Sequence, residues 1–222
     1  MEKILNSYGA IDKADKFEKY YELLVEWNNK FNLTAITERD EVKVKHFADS
    51  LVANRFIKSG DKVLDIGAGA GFPSLPIKII RDDIDLTMLD NVNKKVGFLS
   101  EVISALNLNN ARAIHTRVED YGQKESFDIV LSRAVASLNT LCEYALPFVK
   151  VGGLFIAYKS EKTDEEVALA RSAIEILGGE IIEITTETVA DGITRRLVVI
   201  KKVSSSPKKY PRGKNLPRVK PL

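Results

Sequence analysis

The sequence predicts an α/β fold, a mostly parallel seven-stranded sheet that closes with a C-terminal antiparallel hairpin and carries an N-terminal helical extension. Three observations predict it. From residue 62 to 158, short aliphatic runs alternate with longer amphipathic segments, the rhythm of a parallel sheet covered by helices on both faces. After residue 179, two aliphatic runs follow each other with no helix between them, which suggests a closing antiparallel pair. Before residue 58, apolar residues recur at helical spacing instead.

The elements follow in order. Over residues 12–32, Phe17, Tyr20, Leu24, Trp27 and Phe31 share one helical face, with Asp12 or Asp15 available as the N-cap. Residues 39–57 repeat the pattern with Val44, Phe47, Leu51 and Phe56, until Ser59-Gly60-Asp61 breaks it. Parallel strands are expected at 62–66, 85–89, 112–115, 127–132 and 154–158, with helices at 73–80, 94–106, 138–148 and 164–177 between or after them. The hairpin strands are 179–186 and 194–202, joined by 190–193. The last stretch, 204–222, holds four of the seven prolines and no acid, so an extended arm is expected there. Three regions result: a helical cap (1–58), the main domain (59–203) and a basic arm (204–222).

A chain of 222 residues suits one main domain with additions at its ends. No apolar run approaches the length needed to cross a bilayer, and Met1-Glu2-Lys3-Ile4 does not open a secretory leader, so a cytoplasmic protein without a membrane partner is expected. The single cysteine, Cys142, excludes an internal disulfide and any multi-thiolate metal site within one chain; it reads as a small buried residue, and no metal is expected. The net charge of +2 hides a strong asymmetry. Of 33 Lys and Arg, ten lie after Asp191, the last acid, which leaves 23 against 31 acids in the body. Such a tail suggests a polyanionic partner.

The run Val63-Leu64-Asp65-Ile66-Gly67-Ala68-Gly69-Ala70-Gly71-Phe72-Pro73 leaves a buried strand, turns on three glycines and enters a helix. Ligands bind at this edge of open α/β sheets. A dinucleotide site would want a third small residue where Phe72 stands, and its pyrophosphate would be repelled by Asp65. A phosphate-binding loop of the Gly-Lys-Ser/Thr type is absent. S-adenosyl-L-methionine has an ammonium, a sulfonium and no phosphate, so an acid beside the turn suits it. The expected cofactor contacts are thus Asp65, Gly67, Gly69 and Asp90, the last at a strand end where a carboxylate can accept both ribose hydroxyls. The stretch Arg117-Val118-Glu119-Asp120 stands where an adenine would lie. Asp90 could also simply cap the helix that begins near Asn93.

These residues and several others resemble the bacterial 16S ribosomal RNA guanine-N7 methyltransferases, the glucose-inhibited division protein B family. The resemblance runs from Trp27-Asn28 and Phe31-Asn32-Leu33-Thr34-Ala35-Ile36, through His46-Phe47-Ala48-Asp49-Ser50-Leu51, the Gly67 turn and Lys94-Lys95-Val96-Gly97-Phe98-Leu99. It continues in Phe127-Asp128 and Ser132-Arg133-Ala134 and ends in Tyr210-Pro211-Arg212-Gly213 and Lys220-Pro221-Leu222. It implies a Rossmann-like class I S-adenosylmethionine-dependent methyltransferase acting on a guanine N7 of 16S rRNA, the nucleotide conventionally numbered 527, in the small ribosomal subunit. It carries over Gly67, Phe72, Val118, Glu119 and Arg133 as cofactor residues. Ser74 and Ser160 stand where the family commonly has glycine.

Guanine N7 has an in-plane lone pair and no proton to lose, so its methylation needs positioning more than a general base. The sequence agrees, since Leu131-Ser132-Arg133-Ala134 follows the fourth strand in place of the Asn/Asp-Pro-Pro-aromatic tetrad used on exocyclic amines. Arg133 is the candidate catalytic residue; a guanidinium there could hold the methionine carboxylate, pair with guanine O6 or stack on a base. An ion pair of Arg133 with Asp128 or Glu143 is the structural alternative. Candidate RNA contacts are His46, Lys94, Lys159, Lys208, Lys209 and Arg212, with Tyr210 able to stack on a base. A monomer is expected, and its partner is 16S rRNA or the small-subunit particle. A methyltransferase for another RNA or a small molecule, and a non-enzymatic RNA-binding protein, are the competing readings.

Overall fold

Seven aliphatic runs pair into one sheet of order β3-β2-β1-β4-β5-β7-β6 in the computed structural model, which describes residues 1–160, 162–190 and 192–222. The strands are β1 (Lys62–Ile66), β2 (Asp85–Asp90), β3 (Ala111–His115), β4 (Phe127–Arg133), β5 (Val149–Lys159), β6 (Gly179–Ala190) and β7 (Ile193–Lys202). The first five run parallel, and β7 enters antiparallel between β5 and β6. The chain order reverses between β1 and β4, so the crevice at their carboxyl ends is where this sheet can take a ligand.

Alternation along β1 sends its side chains to two cores. Val63 joins the apolar cluster beneath the N-terminal helices, while Leu64 and Ile66 join the cluster on the opposite face. The first cluster includes Leu5, Phe17, Tyr20, Leu24, Phe47 and Leu51 together with Leu75, Leu131 and Tyr158, so the N-terminal helices share one core with the sheet. These helices are α1 (Glu2–Ser7), α2 (Ala14–Asn28), α3 (Arg39–Val42) and α4 (Asp49–Leu51). On the same face as these lie α5 (Ser74–Ile80) and α6 (Asn93–Ala105), on the opposite face α7 (Leu138–Ala145) and α8 (Thr163–Ile176), and α9 (Leu216–Val219) follows β7.

Several boundaries differ from the sequence reading for local reasons. Neither Asp12 nor Asp15 caps α2: a 3-10 turn, Ile11–Lys13, puts Lys13 at the cap without a side-chain bond. The expected helix over 39–57 is interrupted by a π segment, Lys43–Ala48, between α3 and α4; Glu38 caps its start by accepting from the Glu41 amide at 2.9 Å. Strand β5 starts five residues early because Gly152, at φ +92°, and Gly153 read as a turn. Gly153 instead lets the strand press on β4, where a Cβ would lie 2.6 Å from the Asp128 carbonyl. The connection expected at 190–193 falls partly on residue 191, outside the described residues.

The stretch expected as an extended arm is packed against α7. Tyr210 and Pro211 are buried, Thr140 donates to the Pro217 carbonyl at 3.0 Å, and α9 adds a helical turn. The anchor is Arg212. Its backbone amide and Nε donate to Glu143 Oε1 at 2.8 Å and its Nη2 to Oε2 at 2.6 Å, on a carboxylate with no solvent exposure. The proline-rich composition, read as an extended arm, marks a segment whose shape is fixed by side-chain contacts.

Candidate active site

The glycine turn follows β1 with Gly67, Gly69 and Gly71 at φ +70°, +59° and +89°, which side-chain-bearing residues adopt only under strain. Gly67 and Ala68 amides both donate to the Leu89 carbonyl, at 2.9 and 3.1 Å, which draws the turn over the end of β2. Close packing demands the missing side chains. A Cβ on Gly67 would lie 2.6 Å from Val135 Cγ2, and one on Gly71 would lie 2.6 Å from the Tyr20 hydroxyl.

Beside the turn opens a cavity of about 420 Å³, within the size range of small-molecule sites. Ile66, Gly67, Leu89, Asp90, Val118 and Glu119 line it from the sheet side. Asp90 ends β2 with each oxygen holding one amide, Gly69 at 2.9 Å and Val92 at 2.9 Å. It therefore braces both the turn and the entry to α6 while a lone pair on each oxygen stays available. Four sequence-expected residues, Gly67, Asp90, Val118 and Glu119, meet in this one cavity.

Asp65 and Phe72 lie behind the turn. By strand alternation Asp65 faces the N-terminal helices, fully buried; its Oδ2 accepts from the Ser74 hydroxyl at 2.6 Å and its Oδ1 has no partner. Burial pushes its carboxyl up to about 6, against the lowering effect of the Ser74 bond. Ser74, the departure from the family pattern, thus serves the acid next to the turn. Phe72 is sandwiched: the His46 ring stacks on it at 4.4 Å, Tyr20 at 5.5 Å, and the Arg133 guanidinium sits 5.1 Å from its centroid.

A second, wider cavity of about 810 Å³ lies across the loop after β4, and Val135 borders both. Lys45, Arg133, Lys159 and Arg195 against the single acid Glu166 make it basic, and His46 lines it too. Two of these cations share Asp49, buried beneath them without solvent exposure, which accepts from Arg133 Nη1 and Arg195 Nε at 2.6 Å each. The ion pair weighed for Arg133 exists, but with Asp49 from the N-terminal helices and not with Asp128 or Glu143, which are held by Lys150 and Arg212.

His46 lies in the π segment, and such segments are frequent at functional sites. Its Nδ1 faces Arg133 Nη2 at 3.1 Å, and a guanidinium cannot accept, so Nδ1 is the acceptor and Nε2 donates to Thr34 Oγ1 at 2.8 Å. Burial and the Arg133 charge lower its pKa to about 4, so the ring is neutral at pH 7. His46, an expected RNA contact, lines the basic cavity while it holds Arg133 and stacks on Phe72.

Two other expected RNA contacts are also engaged internally. Lys159 donates to Glu166 at 2.6 Å and to the Ala136 carbonyl at 2.9 Å, and Arg212 is consumed by Glu143. Lys94, Lys208 and Lys209 are exposed, with Lys94 over the Phe31 ring at 4.5 Å. Sequence reasoning missed Arg195 and Tyr158 in the basic cavity, and Tyr144, Asn215 and Arg218 in the first one. Only the density of basic residues after residue 191 hinted at any of them. Among the described residues no group of three His, Cys, Asp or Glu side chains could hold a metal ion, and no helix is long and apolar enough to cross a membrane.

Comparison with known proteins fits this geometry. The family model described as rRNA small subunit methyltransferase G matches residues 13–197. Proteins named "Ribosomal RNA small subunit methyltransferase G" are similar over nearly the full length. The one from Desulforamulus reducens is 52% identical over 93% of this chain and 89% of its own. That from Lachnoclostridium phytofermentans is 49% identical over 95% and 90%. Among solved structures, P. horikoshii TYW2 in complex with MeSAdo superposes with a TM-score of 0.60 at 18% identity over 72% of this chain and 63% of that one, a likeness of fold.

Proposed function

The chain belongs to the family of rRNA small subunit methyltransferase G, and from that membership we propose that it methylates N7 of a guanine in 16S rRNA, the nucleotide conventionally numbered 527, using S-adenosyl-L-methionine. The observation that carries this reading is the pair of cavities meeting at Val135, one with a glycine turn and a strand-end acid, the other lined by cations.

The residues present fit the cofactor. Asp90 offers ribose hydroxyls an acceptor on each oxygen, and Gly67 lines the cavity beside it without a side chain, whereas Asp65, expected as a cofactor contact, is buried behind the turn toward the N-terminal helices and does not line the cavity. Val118 and Glu119 flank the adenine end of the same cavity. When bound, the cofactor supplies a methyl group on a sulfonium, which the in-plane lone pair of guanine N7 can take without losing a proton.

The protein's part is positioning. Arg133 spends two N–H groups of Nη1 on Asp49 and the Lys45 carbonyl, and one of Nη2 on His46. Two of its five donors, Nε–H and the second of Nη2, have no partner among the described residues, and they serve the cofactor carboxylate at the boundary of the cavities. A neutral His46 that already accepts from Arg133 is not a base awaiting a proton, which agrees with a reaction that needs none. Lys45 and Arg195 give the second cavity positive charge for phosphates.

Incubation with labelled S-adenosylmethionine and unmodified small subunits, naked 16S rRNA and tRNA, followed by chemical cleavage at N7-methylguanine, tests the proposal. One labelled guanine in small-subunit RNA is expected. Methyl transfer only to tRNA, or only to adenine, overturns it.

A further inference from the structure

The C-terminal segment reaches the cofactor cavity. Asn215 and Arg218 line it along with Asp90, residues 116–119 and Tyr144 of α7. The placement is built. Arg212 locks the segment to buried Glu143, Thr140 holds the Pro217 carbonyl, and Arg218 Nη2 donates to the Val135 carbonyl at 3.1 Å. Val135 is the residue that Gly67 would strike and that borders both cavities. Beside Arg218, Tyr144 is buried, and burial raises its phenol above the usual range. A flat cationic group, a phenol ring and the apolar Ile66, Leu89 and Val118 therefore surround one space.

We propose that Asn215 and Arg218 are part of the S-adenosylmethionine site and that Arg218 binds the purine, its guanidinium plane against the ring and one Nη2–H left to the Val135 carbonyl. This rests on the proposed reading that the cavity holds S-adenosylmethionine. The purine is the favoured end for two reasons. The cavity that Arg218 lines also holds the Tyr144 ring and the apolar Ile66, Leu89 and Val118, and the carboxylate end is provided for by the free donors of Arg133 across Val135.

The test compares equilibrium binding of S-adenosylmethionine and of 5′-methylthioadenosine, which keeps the purine and lacks the amino-acid end, to the wild type, Arg218→Ala, Arg218→Lys and the exposed control Arg171→Ala. Arg218→Ala should weaken both ligands by a similar factor, about two- to fivefold, as expected for a guanidinium–ring contact made by an exposed side chain. Arg218→Lys should recover only part of the loss, because an ammonium keeps the charge and not the plane. Arg171→Ala should bind both as the wild type does. Unchanged binding of both ligands to Arg218→Ala overturns the proposal, as does a loss confined to S-adenosylmethionine. Failure of the wild type to bind either ligand overturns the cofactor reading itself and is distinguished by that control.

Discussion

Replacing Asp49 with Asn should unfold the protein at a much lower temperature. The carboxylate is fully buried and accepts from two arginines at 2.6 Å, whose side chains are 12% and 23% exposed. Asn keeps one acceptor oxygen and turns an amide NH2 toward the other guanidinium. Removing one partner of a buried pair costs about 3–5 kcal/mol. The arginines keep some solvent and second acceptors in the Lys45 and Lys159 carbonyls, so the lower end applies, about 3 kcal/mol. For a chain of this size, that lowers Tm by roughly 6–12 °C. Differential scanning calorimetry at low and high salt measures it, with Arg55→Gln, which breaks exposed pairs to Glu183 and Glu187, as the reference expected to lose less than about 1 kcal/mol. The loss at Asp49 should persist in high salt, since buried charges are poorly screened. A fall of under about 2 °C, or one abolished by salt, would refute the assignment of Asp49 as the buried counter-ion of both arginines.

Asp65 sets a pH dependence of definite sign. Its folded pKa is raised from 3.8 to about 6, so the stability it confers is present below the unfolded value and lost as pH rises through about 6, by roughly 3 kcal/mol in full. Melting curves of Asp65→Asn against wild type should therefore show the variant gaining relative stability between pH 4 and pH 8 (roughly the span over which the carboxyl ionises); parallel curves contradict the raised pKa. His46, lowered to about 4, acts in the opposite sense, its contribution being lost as pH falls from its ordinary value, so the difference between variants is the quantity to read. Gly67→Ala must hold φ +70° and displace Val135, costing about 1–2 kcal/mol in backbone strain alone. Titration calorimetry should show at least about a tenfold loss of S-adenosylmethionine affinity, and wild-type binding would refute the tight approach. Cys142 is buried and its thiol is pushed well up, so a thiol reagent should modify it only in denaturant. Rapid reaction of the native protein would contradict that burial.

What the sequence made legible was periodic or conformational. Strand β1 and helix α6 were visible because alternation and helical spacing are written into their apolar residues, and the turn because three glycines in five positions serve few other purposes. The partners of charged groups were not visible. Arg133 meets Asp49 across 84 residues, Arg212 meets Glu143 across 69, and Lys159 meets Glu166 within a loop and helix. Nothing in local composition separates a lysine or arginine destined for such a pair from one left in solvent. The C-terminal stretch illustrates this: its prolines and cations read as an open arm, while one buried glutamate decides that it lies along α7. Helix α1 was too short for periodicity, and its single buried residue, Leu5, gave no pattern.

The shared core of the N-terminal helices has a consequence for how the chain is made. Tyr158 donates to the Ser50 carbonyl at 2.6 Å, a contact spanning 108 residues, and Phe17, Tyr20 and Phe47 belong to the same cluster as Leu131 and Tyr158. During synthesis the aromatic face of α2 leaves the ribosome first, yet it has nothing complete to pack on until β4 and β5 have followed. At about 5–20 residues per second this is an interval of roughly 7–28 s. Throughout it, an early segment of the chain is an exposed apolar surface, and strands from its second half are what cover it.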